Sequence, residues 1–168
     1  DAVLSNWKDW KWQLRHSIKD ISTFEKVTGI RFEPEERELL ERTVEKFPLS
    51  ITPYYLSLID TADYRNDPFF KQSFPSPQEL VVDKYDMIDP LSEDKDSPVP
   101  GITHRYPDRV LLKLLLVCPV YCRFCFRREK VGPGSEALSP PELQAALDYI
   151  RNTPQIWEVV VTGGDPLV

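Results

Sequence analysis

The chain's only three cysteines stand within eight residues, Cys118-Pro119-Val120-Tyr121-Cys122-Arg123-Phe124-Cys125, directly after the apolar run Val110 to Val117. Thiolates separated by three and then two residues are able to face one iron–sulfur cube, because each sulfur ligates a separate iron and the backbone between them closes into a tight loop. The fourth iron is then left without a protein ligand. An open metal position takes a small molecule, whereas a structural site closes its shell with protein. Arg123, Arg127, Arg128 and Lys130 surround the cysteines, and their charge would favour thiolate over thiol and hold an anionic ligand. A structural zinc site, with His104 completing a Cys3His set, is the competing reading of the same residues.

An odd cysteine count so tightly clustered makes a poor disulfide framework and points to a reducing compartment. With 41% apolar and 29% charged residues the chain reads as soluble and globular, and its net charge of -6 argues against general nucleic-acid binding. No stretch reaches the roughly 20 apolar residues of a membrane span, and the amino-terminal segment lacks a signal-peptide core, so the cytoplasm is the expected location. The chain opens at Asp1, has Met87 as its sole methionine and stops at Val168 just after a strand. It reads as a fragment, because a strand, a helix and a second strand begin a repeat that needs further units to close a sheet.

The elements that would position the cysteines follow from periodicity. Trp7, Trp10, Leu14, Ile18 and Ile21 recur at helical intervals over residues 5–28, and Gly29 ends that run. The stripe of large aromatics reads as a packing or subunit-contact face, with an interfacial membrane anchor as the alternative, while His16 reads as an exposed helix residue. Pro34 followed by Glu35 and Glu36 starts a second helix, which runs through Leu39, Leu40 and Val44 until Pro48. Nine prolines between 48 and 108 exclude long regular elements apart from a short helix over Pro53 to Ile59. Tyr54, Tyr55, Leu58, Phe69, Phe70 and Phe74 make that stretch a wrapping layer rather than a linker. Val110 to Val117 then reads as a strand buried on both faces. A Gly132-Pro133-Gly134 turn and a helix capped by Ser139, Pro140 and Glu142 follow it, and a second parallel strand from Trp157 to Thr162 ends in Gly163-Gly164-Asp165-Pro166. Cysteines and glycines thus fall at the carboxyl ends of consecutive strands, where α/β folds place their sites. The expected divisions are a helical region 1–47, a proline-rich wrapping segment 48–108 and an α/β part 109–168.

The cysteine spacing, with an aromatic residue just before the last cysteine and a glycine pair ending the next strand, resembles the radical S-adenosylmethionine (radical SAM) superfamily. Trp7-Lys8-Asp9-Trp10-Lys11-Trp12-Gln13, Ile51-Thr52-Pro53-Tyr54-Tyr55, Ser97-Pro98-Val99-Pro100-Gly101 and Thr103-His104-Arg105-Tyr106-Pro107-Asp108-Arg109 narrow the resemblance to the lysine 2,3-aminomutases over essentially the whole chain. The resemblance implies an α/β fold in which an amino-terminal helical extension precedes the start of an open (β/α) partial barrel. The implied chemistry is radical migration of the amino group of L-lysine from C2 to C3, with a 4Fe-4S cluster, S-adenosyl-L-methionine and pyridoxal 5'-phosphate as cofactors. Carried over residue by residue, Cys118, Cys122 and Cys125 would hold the cluster. Gly163, Gly164, Asp165 and Phe124 would lie against S-adenosylmethionine, with phenylalanine where the family often has histidine. Arg105, Tyr106 and Arg109 would bind the pyridoxal phosphate group and Arg127 the substrate carboxylate, roles suited to guanidinium forks. The family's Schiff-base lysine and amine-reading carboxylates would lie beyond Val168.

The same resemblance implies an electron donor such as flavodoxin or ferredoxin, and a homo-oligomer. Within the class, the alternatives are an aminomutase for another amino acid such as glutamate, and one supplying β-lysine for a translation factor. Outside it stands a non-catalytic zinc or iron–sulfur module. Arg105 and Arg109 have a plainer reading too, as surface ion pairs with Asp94, Asp96 or Asp108.

Overall fold

A computed structural model of the protein describes residues 6–132 and 137–168, so part of the turn expected at Gly132-Pro133-Gly134 lies outside the described residues. The chain forms two compact units, one made of Asp1–Tyr85 with Pro119–Arg128, the other of Asp86–Cys118 with Glu129–Val168.

The first unit is helical. The single helix expected over residues 5–28 is two, α1 (Trp10–Arg15) and α2 (Ile21–Thr28). Two local interactions break it. Ile18 leaves the helical path to exchange backbone hydrogen bonds with Ile51 at 2.8 and 3.1 Å, and the Asp20 carboxylate starts α2 by accepting from Thr23 N at 2.7 Å. Asp20 is a strong N-cap residue, and a cap inside an apolar periodicity divides it. Gly29 closes α2 in the left-handed region with φ 78°, as expected of a terminating glycine. α3 (Pro34–Lys46) begins on its proline with Glu35 and Glu36 in the first turn, where acids oppose the positive end of the dipole. The proline-rich stretch folds into α4 (Pro53–Leu56) and α5 (Pro68–Ser73), each started by a proline and capped by Thr52 or Asp67. Its wrapping role holds for Phe70 and Phe74, which pack with Phe24, Phe32 and Leu40 in the core. The Phe24 and Phe74 rings stand 4.3 Å apart. Tyr54, Leu58 and Phe69 are instead exposed.

The second unit carries a three-stranded sheet in the order β1 (Ile102–Tyr106), β2 (Arg109–Leu115), β3 (Glu158–Gly163). β2 and β3 run parallel, joined through α6 (Pro140–Arg151), whose Ser139 and Glu142 form the expected capping box. β1, which the sequence reading did not find, pairs antiparallel with β2 across the turn at Pro107 and Asp108. Its polar central residues, His104 and Arg105, obscure the strand pattern. Nor is β2 buried on both faces. Val110 and Leu112 are buried with Ile102 and Ala146 against α6, while Leu111 and Lys113 on the other face are half-buried. β3 leaves Val159, Val160 and Val161 exposed. Among the described residues no helix is long and apolar enough to cross a membrane.

A Cβ added at Gly29 would meet nothing within 4 Å, so the cost of Gly29→Ala is conformational alone, about 1–2 kcal/mol for an L-residue forced left-handed. Urea denaturation should show the midpoint falling with an unchanged slope, and Gly29→Asn should lie between alanine and wild type.

Candidate functional site

Arg123, Arg128 and Lys130, beside the cysteines, are engaged with carboxylates. Arg123, inside the cysteine motif, forks onto Glu79 with Nε donating to Oε1 at 3.0 Å and Nη2 to Oε2 at 2.7 Å, and its Nη1 donates to Pro48 O at 3.0 Å. The two side chains are only 9% and 11% exposed. Glu79 is placed by its own backbone: it is the third residue of a 3-10 turn, Pro77–Leu80, and its carboxylate also accepts from Ser76 N. Arg128 approaches the same carboxylate at 3.6 Å with its guanidinium 4.2 Å from the Phe47 ring. In the second unit, Lys130 pairs with Asp94.

Their charge is therefore compensated, and the Cys122 thiol moves opposite to the direction expected from a basic surround. Burial and the neighbouring Cys125 push it up from its ordinary value. All three cysteines are free thiols. Cys122 and Cys125 lie in the loop that joins the first unit, where Cys125 N donates to Cys122 O at 3.1 Å and Arg128 N to Cys125 O at 3.2 Å. Cys118 follows β2 in the second unit. A metal displaces thiol protons on binding, so a raised thiol still serves as a ligand. Among the described residues no group of three or more His, Cys, Asp or Glu side chains stands in metal-holding geometry. A cube whose irons each take one thiolate does not need its sulfurs to converge on a point. His104 is bound at Nδ1 to the Tyr149 hydroxyl, 2.6 Å away, and its Nε2 is buried without a hydrogen-bond partner.

The glycine turn ends β3 against the end of β2. Gly164 N donates to Leu115 O at 2.6 Å and Asp165 N to Val117 O at 2.9 Å. A Cβ on Gly163 would stand 2.3 Å from Leu115 O, and one on Gly164 would stand 2.2 Å from Val117 O. The missing side chains thus admit the neighbouring strand's backbone. Asp165 closes the turn by accepting from Leu167 N. Phe124 is 74% exposed.

Arg105, Tyr106 and Arg109 line one pocket of about 160 Å³, walled by Leu91, Val110, Leu111 and Val160. Both guanidinium groups have carboxylate partners. Arg105 donates from Nε to Asp96 at 3.0 Å and from Nη2 to Leu91 O. Arg109 forks onto Asp108 at 3.1 and 3.3 Å, and Trp157 Nε1 donates to the same carboxylate at 3.0 Å. Those donors hold the Asp108 carboxyl below its ordinary range, the Arg109 hydrogen bond contributing most. Arg127 sits with its guanidinium 4.4 Å from the Phe126 ring.

Sequence reasoning missed the role of Glu79 and of Gln13. Gln13 is buried, donates to Trp7 O and accepts from Tyr54 N, both at 2.8 Å, which links two segments recognised separately in the sequence. A lone Glu in a proline-rich stretch gives no signal of its partner; the arginine inside the cysteine motif was the available clue.

These features define a mixed α/β protein in which Cys118 follows one of two parallel strands and a glycine turn ends the other. No family model matches the chain. It is a sequence relative, over its whole length, of the L-lysine 2,3-aminomutases: it is 50% identical over 168 residues to that of Methanococcus maripaludis and 46% identical over 168 residues to that of Clostridium subterminale. A glutamate 2,3-aminomutase from Clostridioides difficile is 39% identical over 162 residues. The chain spans 39% and 40% of the first two relatives' lengths and 37% of the third's.

Two outcomes test this geometry. Glu79→Ala leaves the Arg123 guanidinium buried without its partner and should cost about 3–5 kcal/mol in denaturant unfolding, whereas Arg123→Lys keeps the charge but loses the fork and should cost less. Asp108, depressed in the folded state, contributes stability above its unfolded pKa near 3.9 and loses it as pH falls through its lower folded value. A carbon-13 titration should place its midpoint below 3.9, and Asp108→Asn should flatten that part of the acid limb.

Proposed function

We propose that the chain is part of a radical SAM, pyridoxal-phosphate-dependent isomerase that moves the amino group of L-lysine from C2 to C3, giving L-β-lysine. The observation that carries this reading is identity of 43–50% along 162–168 residues to several proteins named L-lysine 2,3-aminomutase. β2, α6 and β3 are the first repeat of an open partial barrel. Cys118, Cys122 and Cys125 are the thiolates for a 4Fe-4S cluster, and free thiols suit that donor set. Gly163, Gly164, Asp165 and Phe124 face S-adenosylmethionine. When bound, the three cofactors would supply the radical chemistry and the electron delocalisation that amino migration requires.

This chain's own residues bind and orient. Arg105, Tyr106 and Arg109 take the cofactor's phosphate at the pocket they line, whose other walls include Leu91, Val110, Leu111 and Val160. Asp108 and Trp157 fix the Arg109 fork before the phosphate arrives, so less side-chain freedom is lost on binding. Arg127 holds the substrate carboxylate through a planar fork, and stacking over Phe126 sets the plane of that fork. The electron comes from a flavodoxin- or ferredoxin-type donor, in the cytoplasm, and the whole protein assembles as a homo-oligomer. A glutamate 2,3-aminomutase is the second reading, favoured by the Clostridioides difficile relative.

The test is the full-length protein, reconstituted without oxygen and given L-lysine or L-glutamate with S-adenosylmethionine, pyridoxal phosphate and reductant, followed by NMR. β-Lysine should appear from lysine while glutamate stays inert. Turnover of glutamate alone would move the assignment to the second reading. Cys122→Ala should lose the brown charge-transfer colour and all detectable turnover; a variant keeping both would overturn the cluster assignment.

A further inference from the structure

Arg105 stands where the pairing of β1 with β2 is irregular. Ile102 faces Leu112 and Thr103 faces Leu111, but the pairing then shifts and resumes only at Tyr106 opposite Arg109, so the sheet does not fix His104 and Arg105 as it fixes their neighbours. Side chains hold them instead. His104 Nδ1 meets the Tyr149 hydroxyl of α6 at 2.6 Å, while Arg105 donates from Nε to Asp96 Oδ2 at 3.0 Å and from Nη2 to Leu91 O. Among the described residues Arg105 Nη1 donates to no acceptor, and the arginine lines the pocket with Tyr106 and Arg109. Asp96 is itself built in. It ends a 3-10 turn, Asp94–Asp96, whose start is tied down by the Asp89 carboxylate accepting from Glu93 N at 2.9 Å and Asp94 N at 3.0 Å. Glu93, only 5% exposed, pairs with Lys113 of β2 at 3.6 Å, and Ser97 Oγ donates to Glu93 O at 2.7 Å. The carboxylate that holds Arg105 is thus fastened to the same sheet that carries the arginine.

We propose that Asp96 is a positioning residue for the cofactor's phosphate, acting through Arg105: it fixes the guanidinium on its Nε side so that the Nη1 hydrogens remain for a phosphate oxygen. The inference rests on the reading of Arg105, Tyr106 and Arg109 as phosphate contacts. A guanidinium carries five N–H donors in a rigid plane, so holding Nε and Nη2 sets the direction of Nη1 as well. An arginine ordered before its ligand arrives loses little further freedom on binding, whereas one released from its carboxylate must be immobilised by the phosphate itself. Asp96 touches neither cofactor nor substrate in this arrangement, and its effect is confined to the phosphate end of the ligand.

The experiment is calorimetry on the full-length protein freed of cofactor, giving dissociation constants for pyridoxal phosphate and for pyridoxal, which lacks the phosphate. Asp96→Ala should weaken pyridoxal phosphate about fivefold, the order expected when one long side chain must be immobilised on binding, and leave pyridoxal unchanged. Asp96→Asn keeps an acceptor oxygen for Nε and should stay near wild type. In an Arg105→Ala background Asp96→Ala should have no further effect, because the residue it acts through is gone. Should the alanine variant not fold, Asp96→Glu takes its place: it moves the carboxylate by one methylene and should give the same selective loss. Unchanged or tighter binding of pyridoxal phosphate, equal losses for both ligands, or a further loss in the Arg105→Ala background would overturn the role of Asp96. A wild-type protein that binds the two ligands equally would instead overturn the phosphate assignment of Arg105, Tyr106 and Arg109, and this inference with it.

Discussion

The loop that carries Cys122 and Cys125 has no helix or strand of its own, so its shape depends on what holds it, and the strongest hold is the Arg123–Glu79 pair. Both side chains are nearly shut off from water. Taking them out of solvent is costly, and the attraction offsets that cost only because the geometry is a two-point fork with further donors satisfied on Pro48 O. A lysine would bring the charge without the fork. The capping box of the Pro77–Leu80 turn matters for the same reason: it fixes Glu79 through the backbone of Ser76, so the carboxylate is aimed before the arginine arrives.

A different constraint governs the other strand end. Gly163 and Gly164 bring β3 so close to Leu115 and Val117 that any side chain would stand inside the van der Waals distance of a carbonyl oxygen. The hydrogen bonds from Gly164 N and Asp165 N continue the strand pairing past the regular ladder. The turn is thus locked to the segment that leads directly into Cys118. Backbone proximity, rather than side-chain contact, couples the glycine motif to the Leu115–Val117 segment in this unit.

Much of the architecture was legible in the sequence where one residue type has one physical use. Gly29, Pro34 and the Ser139–Glu142 box marked helix ends correctly, and the parallel pairing of β2 with β3 followed from two apolar runs separated by a capped helix. The break between α1 and α2 was not legible, because Ile18 sits in helical register with its neighbours and leaves it only for a long-range bridge to Ile51. β1 was hidden by polar residues in a segment dominated by proline. Of the candidate site, the three residues Arg105, Tyr106 and Arg109 were read as a group and line one pocket. Their carboxylate partners Asp96 and Asp108 were named only as the plainer alternative, and both pairs are present. Glu79 was invisible because its partner lies 44 residues away.

The first unit is discontinuous, and that has a consequence for how the protein is made. Its closing contacts join Ser50 to Pro119 across 69 residues and Pro48 to Arg123 across 75. During synthesis the helices up to Tyr85 emerge well before the segment that completes them, and β1 and β2 must leave the ribosome in between. The carboxylate of Glu79 therefore waits, solvated, until Arg123 arrives, and the helical unit is completed only after the β1 and β2 segments of the other unit have been synthesised. Order of appearance along the chain thus makes the cysteine loop the last segment to join the helical unit, fastened to helices synthesised before it.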